Sequence, residues 1–211
     1  MIRVALADDQ QLIRRGMAAL LGQESDLDVV AEAATGADSI DLVLEHAPDV
    51  LLLDVQMPAG TRADGSAGPA DGIAAAQELR SAGCGPRIIV LTTFGRAGYL
   101  RRTMEAGADG FMVKDAPVEQ IVDAIRRVHQ GMRVVDPELA AQSLANGPNP
   151  LSEREIAVLR AAAQGGTSAD VARRVFLSEG TVRNHISNAI GKLHVSTRAE
   201  AVRAATDNGW I

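Results

Sequence analysis

The segment VLLLDVQMPAGTRADGSAGPADG, residues 50–72, begins as an apolar run of strand length and ends as a glycine-rich loop. Asp54 stands where the first pattern gives way to the second. An ionised carboxylate at the edge of a core is costly unless a cation, hydrogen bonds or a chemical role compensates for it. The residues at the ends of the neighbouring strands should therefore show what compensates for Asp54.

Composition limits the class of protein. The chain has 211 residues, of which 46% are hydrophobic, so it can bury a real core and more plausibly forms two small domains than one. A single cysteine excludes an internal disulfide framework, and no apolar run approaches the length of a membrane span. The N-terminus MIRVALADDQ has the pattern of a strand rather than of a signal peptide, so we expect a cytoplasmic protein without membrane contact.

The charge is unevenly distributed along the chain. The net charge is −6, yet residues 149–211 hold 8 Lys and Arg against 6 Asp and Glu. The acidity therefore belongs to the N-terminal part, and the C-terminal part remains compatible with a nucleic-acid partner.

Strand-length runs and helix-period segments alternate over the first 130 residues. Several runs are apolar on both faces, as parallel strands covered by helices must be. Five strand-then-helix units predict an α/β fold with a doubly wound, five-stranded parallel sheet. The strand runs are IRVALA, LDVVAEA, DVLLLD, RIIVLTT and GFMVK, and the helical segments are residues 10–22, 37–45, 73–81, 98–106 and 118–129.

Polar side chains stand at the carboxyl ends of these predicted strands, where doubly wound sheets bind their ligands. The first strand ends in Asp8 and Asp9, the third in Asp54, the fourth in Thr92 and the fifth in Lys114. Converging carboxylates repel one another unless a cation neutralises them, and oxygen ligands without His or Cys select a hard ion such as Mg²⁺. The pattern therefore predicts a magnesium site at this edge of the sheet.

Each residue of this set has a chemical role that fits phosphoryl transfer. Asp54 would be the carboxylate nucleophile, and Asp8 and Asp9 would hold the metal together with it. Lys114 and the hydroxyl of Thr92 would contact the phosphoryl oxygens. Asp54 is then tolerated because it is both a metal ligand and a phosphate acceptor.

Residues 3 to about 130 resemble the receiver domains of bacterial two-component response regulators. The motifs that carry the resemblance are the Asp pair at 8 and 9, LLLDVQMP, LTT, and AGADGFMVK ending in Lys114. The resemblance implies a flavodoxin-like fold, Mg²⁺ as cofactor and phosphorylation of Asp54 by a sensor histidine kinase. It also places Phe111 at the position of the switch aromatic, although Phe111 taken alone is better explained as a core residue.

Two other functions use similar residues. Phosphohydrolases of the haloacid dehalogenase class share the strand-end Asp, the Thr, the Lys and Mg²⁺, but they need a second acid two residues after the nucleophile, where this chain has Gln56. We therefore expect no enzyme activity. The second alternative is a regulator with an atypical receiver that binds DNA independently of phosphorylation.

The chain departs from the receiver pattern after Pro58. The family reaches its turn glycine within a few residues, whereas here Gly72 follows the insert AGTRADGSAGPA at residues 59–70. This composition predicts a mobile loop, which is either a tolerated insertion or a lid beside Asp54. A second departure is Asp115 where many receivers have proline, which leaves the isomer of the Lys114–Asp115 peptide undecided.

The segment NGPNP at residues 146–150 is the strongest breaker cluster and predicts a domain boundary. We expect a receiver at 1–130, a linker at 131–149 and a small all-α domain at 150–211. In the last part, LSERE and LSEGT predict helix N-caps at Ser152 and Ser178, the first in a capping box with Glu155.

Four short helical segments in the last part predict a helix-turn-helix. The third segment carries a buried stripe at helical spacing, formed by Val182, Ile186, Ile190 and Leu193. Residues 150–211 resemble the LuxR-type DNA-binding domain through LSERE, VA, LSEGTVRNHISNAIGKL and TRAEA.

The LuxR-type resemblance assigns roles to single residues. Those expected to face bases are Arg183, Asn184 and Ser187. Those expected to position the DNA backbone are Thr181, His185, Asn188 and Lys192. The dimerisation helix would present Ala201, Val202 and Ala205, and a homodimer formed on activation would read inverted half-sites of double-stranded DNA.

Together the two resemblances identify a transcription regulator of the NarL/FixJ group. The stretch LTTFGRAGYLRRTMEAGADGFMVKDAP is most similar to regulators of the DesR type, whose relatives answer membrane-state signals. Phosphorylation of Asp54 would draw Thr92 and Lys114 inward and shift a two-state surface around Phe111. That shift would change dimerisation and DNA binding.

Overall fold

A computed structural model describes residues 1–83, 85–93, 97–145 and 149–211. The chain forms two units. Of the described residues, the first unit contains those up to 93 and residues 100–140, and the second contains residues 97–99, 141–145 and 149–211. Within the described ranges, no helix combines the length and the apolar character needed to cross a bilayer.

The first unit is built on a parallel sheet in the order β2-β1-β3-β4-β5-β6, with helices between successive strands, so the predicted doubly wound α/β fold is confirmed. The strands are β1 (Ile2–Ala7), β2 (Leu27–Ala33), β3 (Val50–Asp54), β4 (Arg87–Thr92), β5 (Gly110–Val113) and β6 (Val134–Val135). The helices are α1 (Gln11–Leu21), α2 (Gly36–His46), α3 (Gly72–Ser81), α4 (Ala97–Glu105), α5 (Val118–His129) and α6 (Pro137–Ala145).

The sixth strand is an addition to the five that the sequence predicts. Strand β6 has two residues and pairs in parallel with Gly110 and Phe111 of β5. Two residues are too short to show a period, so no sequence pattern could reveal this strand. It lies with α6 in the segment predicted as a linker, and the part of the predicted boundary at 146–148 lies outside the described residues.

Strand β3 lies at the centre of the core, and all five of its residues are buried. Residues in register on neighbouring strands share one face of the sheet: Leu6 of β1 pairs with Leu52 of β3, which pairs with Ile89 of β4. Helix α5 covers this face with Ile121 and Ile125. Burial on both sides explains why β3 is continuously apolar up to Asp54.

The insert at residues 59–70 forms local backbone structure that its composition does not predict. Thr61 and Ala67 form an antiparallel bridge, and the backbone N–H of Arg62 donates to the carbonyl of Ser66 at 2.9 Å. The insert is therefore a small hairpin. Composition failed here because it measures the freedom of the unfolded chain and not the contacts available in the folded one.

Four helices of the described residues lie wholly within the second unit: α7 (Glu153–Ala163), α8 (Ser168–Val175), α9 (Glu179–Lys192) and α10 (Arg198–Asp207). The predicted N-caps are confirmed, since Ser152 forms a capping box with Glu155 and Ser178 accepts a hydrogen bond from the N–H of Thr181. The predicted stripe of α9 faces the core: Val182 and Ile186 are buried, and the other two residues pack partly buried against it.

Candidate functional site

The three predicted carboxylates converge at one edge of the sheet. Asp8 follows β1 and Asp54 ends β3, and these two strands are neighbours in parallel register. One carboxylate oxygen from each of Asp8, Asp9 and Asp54 lies within 4.8 Å of the others. Asp8 and Asp54 are buried, whereas Asp9 is exposed. The cluster is thus open to solvent on the side of Asp9.

The ammonium group of Lys114 lies between two of these carboxylates. Its Nζ is 2.6 Å from Oδ2 of Asp8 and 2.8 Å from Oδ2 of Asp54. Lys114 follows β5, which is separated from β3 by β4, so its long side chain reaches across the end of β4. Among these four side chains the formal charges leave two negative charges in excess, and such a set could hold a divalent cation.

Burial raises the pKa of the Asp54 carboxyl, because desolvation disfavours its charged form. The ammonium of Lys114 and the backbone N–H of Gln56 oppose this effect, and the charge of Asp8 adds to it. The contribution of the Gln56 backbone has no signal in the sequence, because any residue supplies the same N–H group.

Thr92 and Phe111 lie on the strands beside the carboxylate cluster. Thr92 ends β4 and is buried, and its carbonyl accepts the backbone N–H of Lys114 at 2.8 Å. The ring of Phe111 is completely buried, opposite Val90 in the register of β4 and β5. No peptide bond between described residues is cis, so the Lys114–Asp115 peptide is trans.

Helix α9 presents a polar surface. Four of its residues that the sequence assigns to DNA contacts are exposed, namely Arg183, Asn184, Ser187 and Asn188. The guanidinium of Arg183 lies 2.7 Å from the carboxylate of Glu179, one turn earlier on the same helix. This exposed ion pair is weak, so Arg183 can exchange it for another acceptor at little cost.

The other three residues that are expected to contact the DNA backbone differ from Asn188 in their surroundings. Thr181 shares a hydroxyl hydrogen bond of 2.8 Å with the N-cap Ser178, and His185 is partly buried. The Nζ of Lys192 lies 2.7 Å from Oε2 of Glu155, a buried carboxylate of α7. Lys192 therefore ties α9 to α7. These two residues are 37 positions apart, so no local pattern predicts their pairing.

Glu155 has two partners, and together they determine its charge state. Burial raises its pKa, but the hydrogen bonds from Lys192 and from the backbone N–H of Ser152 outweigh burial and lower the pKa below its ordinary value. Glu155 therefore stays ionised, as both the capping box and the tie to α9 require.

The predicted dimerisation residues lie mostly inside their own unit. Ala201 and Ala205 are completely buried, in a cluster with Leu159 and Ala189, and Val202 is partly buried. The two alanine side chains are therefore unavailable for a contact between copies in this arrangement. They are buried because small residues on α10 let that helix pack closely on α7 and α9.

Fold and geometry together define a class of protein: an α/β unit with a carboxylate cluster at its strand ends, followed by a helix-turn-helix unit. Residues 4–126 match the family described as "Response regulator receiver domain", and residues 149–205 match "Bacterial regulatory proteins, luxR family". The chain belongs to the two-component response regulators that combine a receiver with a LuxR-type DNA-binding domain.

Several known proteins are similar over the whole chain. The transcriptional regulatory protein DesR of Bacillus subtilis (strain 168) is 40% identical over 211 residues, with all of both chains covered. YvfU of the same strain, an uncharacterized transcriptional regulatory protein, is 39% identical, again with all of both chains covered. The crystal structure of ChrA, a response regulator of a heme-sensing two-component system, is 35% identical with a TM-score of 0.58, covering 100% of this chain and 98% of that one. The predicted resemblance to response regulators and to DesR is confirmed.

The raised pKa of Asp54 predicts the pH dependence of an Asp54→Asn variant. The cost of burying the charge is absent below the ordinary Asp pKa of 3.8 and fully present above the raised folded value. In EDTA, the variant should be more stable than wild type at about pH 7, and its gain should shrink as the pH falls toward about 4. Calorimetric unfolding measures this difference. Asp123→Asn, which removes an exposed carboxylate, should show no gain, and a gain independent of pH would contradict the assignment.

Replacing Lys192 by Met should destabilise the second unit by about 1–2 kcal/mol, because Glu155 would lose its only charged partner among the described side chains that contact it. Since the pKa of Glu155 is lowered in the folded state, its stabilising effect is present above its ordinary pKa and is lost in acid, where the deficit of the variant should shrink.

The fluorescence of Trp210, the single tryptophan, reports urea unfolding of this unit. Arg203→Met is the matched control, because it removes an exposed cation of α10 that pairs with Asp207 at 3.7 Å. It should change the free energy of unfolding by less than about 0.5 kcal/mol. Equal effects of the two substitutions would show that Lys192 is not a structural tie.

Proposed function

We propose that a sensor histidine kinase phosphorylates Asp54 and that phosphorylation changes how the second unit binds double-stranded DNA. The observation that carries this proposal is the position of the Asp54 carboxylate, which lies beside Asp8 and Asp9 and 2.8 Å from the ammonium of Lys114. A nucleophilic carboxylate, oxygen ligands for a cation and a fixed positive charge are what transfer of a phosphoryl group to Asp54 needs.

The cofactor that these residues fit is Mg²⁺. Asp8, Asp9 and Asp54 would hold it, since they offer only oxygen donors and leave an excess of negative charge after Lys114 is counted. When bound, the ion would neutralise charge on the phosphoryl oxygens.

The chain's own residues would carry out the transfer. An oxygen of Asp54 would form the bond to phosphorus while the bond between phosphorus and the donor nitrogen of the kinase histidine breaks. Lys114 would then bind a phosphoryl oxygen in place of the Asp54 oxygen that it now contacts, and the hydroxyl of Thr92 would bind another. Because Gln56 replaces the second acid of phosphohydrolases, we infer that the protein acts as a regulator and not as an enzyme.

The change at Asp54 would spread along β4 and β5. Lys114 and Phe111 belong to the same segment, and the backbone of Lys114 is hydrogen-bonded to Thr92. A movement of Lys114 would thus shift Phe111, and this shift would alter the surface around α4 and α5. In this scheme the receiver spans residues 1–130, and the segment 131–149 joins it to the DNA-binding domain at 150–211.

The DNA-binding surface would be the exposed side of α9. Arg183, Asn184 and Ser187 would contact bases, and Thr181, His185 and Asn188 would contact phosphates. Lys192 would contact a phosphate while keeping its ion pair with Glu155. An activated homodimer would bind inverted half-sites, and because Ala201 and Ala205 are buried its contact would use Val202 with exposed positions of α10, or the receiver.

Beryllium fluoride, which mimics the aspartyl phosphate, tests the switch. With Mg²⁺ and beryllium fluoride, wild type should shift from monomer to dimer in light scattering and bind duplexes selected from a random library more tightly, whereas Asp54→Ala should do neither. Incubation with acetyl phosphate and Mg²⁺ should add one phosphoryl group to wild type and none to the variant, as mass spectrometry measures. If light scattering shows that wild type stays monomeric with beryllium fluoride, dimerisation is not the output of the switch. DNA binding that is unaffected by Asp54→Ala would favour a phosphorylation-independent regulator.

The role of Arg183 in binding DNA can be separated from its charge. Arg183→Ala should weaken binding to the selected duplex by about 1–3 kcal/mol and relax the preference for one base, because a bidentate base contact is lost. Arg127→Ala removes a cation from a similar i,i+4 ion pair on α5 and should leave the preference intact. Fluorescence anisotropy on matched and mismatched duplexes measures both, and a uniform loss on every duplex would assign Arg183 to a phosphate.

A further inference from the structure

Residues 59–70, here named the insert hairpin, form several hydrogen bonds among themselves. The backbone N–H of Gly68 donates to the carbonyl of Gly60 at 3.1 Å, next to the bridge between Thr61 and Ala67. At the tip, the carboxylate of Asp64 accepts from both the backbone and the hydroxyl of Ser66. An insert built in this way has a defined shape of its own.

One side of the insert hairpin packs on the N-terminus of α2. The N–H groups of Gly36 and Ala37, which have no acceptor within their own helix, donate to the carbonyls of Pro58 and Ala59 at 2.9 and 2.8 Å. The approach is close enough to require glycine: a Cβ on Gly60 would lie 2.3 Å from Oγ1 of Thr35, the N-cap of α2. The loop that follows Asp54 therefore completes the capping of α2.

The other side of the insert hairpin is held by α3. The guanidinium of Arg62 lies 2.8 and 2.6 Å from the two carboxylate oxygens of Glu78. The chain then returns to the phosphoacceptor strand, where the N–H of Gly72 donates to the carbonyl of Val55 at 2.9 Å. A Cβ on Gly72 would lie 1.8 Å from the backbone oxygen of Asp54. Both ends of the insert hairpin are thus anchored within a few residues of Asp54.

We propose that the insert hairpin is a brace that joins α2 to α3 and positions the backbone around Asp54 for phosphorylation. This inference rests on the proposed function. A lid would have to leave the protein for a donor to enter, yet the carbonyl of Ala59 in the insert hairpin accepts the backbone N–H of Ala37 in α2, and this bond would be lost on opening. A merely tolerated insertion would need neither this bond nor the contact of Arg62 with both oxygens of Glu78.

Two glycines of the insert hairpin provide a matched test. Gly60 and Gly65 both have left-handed backbones, with φ of 70° and 83°, so alanine brings similar strain at either position. A Cβ at Gly60 meets Thr35, whereas a Cβ at Gly65 has no described atom within 4 Å. Gly60→Ala should therefore lift the insert hairpin from α2, and Gly65→Ala should not.

Hydrogen exchange and phosphorylation of the full chain are the two readouts. Gly60→Ala should speed exchange of the Gly36 and Ala37 amides by about tenfold, and should slow labelling of Asp54 by acetyl phosphate with Mg²⁺ by several-fold. Gly65→Ala should leave both within about twofold of wild type. Fast amide exchange with an unchanged labelling rate, or unchanged exchange in Gly60→Ala, would overturn the brace. Failure of the proposed function would look different, because wild type and both variants would then all remain unlabelled.

A milder pair of variants gives the answer if Gly60→Ala does not fold. Arg62→Gln removes the contact with Glu78 and should move both readouts in the same direction by about two- to fivefold. Arg126→Gln removes a guanidinium of similar exposure that pairs with Glu24 and Asp26, and should leave the α2 amides unchanged. Equal behaviour of these two variants would also overturn the brace.

Discussion

The ammonium of Lys114 between Asp8 and Asp54 is the interaction on which the carboxylate edge of the sheet depends. Parallel strands bring their carboxyl ends to one edge, and here that geometry collects carboxylates that repel one another. Lys114 can offset this repulsion because its side chain reaches from the end of β5 across β4 to β3. The backbone of Lys114 is also tied to Thr92 by a hydrogen bond, and Lys114 directly follows the strand of Phe111. In the proposed function, the ammonium that offsets the repulsion in the resting site would also bind a phosphoryl oxygen.

The second unit uses a similar device for a structural purpose. Glu155 is a buried carboxylate that accepts from its own N-cap backbone and from Lys192 on another helix. Among the described residues, the ion-pair partner of Arg183, on the same helix as Lys192, is the exposed Glu179. The two cations differ because their partners differ in burial. Lys192 is held by the buried Glu155, which is costly to leave unpaired, whereas Arg183 can exchange the exposed Glu179 for a new partner at little cost.

The insert at residues 59–70 shows how glycine content can be misinterpreted. Many glycines mean a large loss of entropy on folding, which favours a mobile loop unless contacts repay it. In this chain Gly60 is required where the hairpin touches Thr35, and Gly72 where the backbone passes Asp54. These glycines permit close approach, and the resulting backbone contacts connect α2, α3 and the end of β3.

The amino-acid sequence by itself determined the alternation of strands and helices, the set of strand-end residues Asp8, Asp54 and Lys114, the N-caps of the last domain, and the family. Each of these depends on local periodicity or on a motif within a few residues. Only the tertiary structure decided the two-residue strand β6, the docking of the insert and the burial of Ala201 and Ala205. It also paired Lys192 with Glu155, 37 residues away. These features depend on partners distant in the chain, and side chains that meet only after folding leave no period in the sequence.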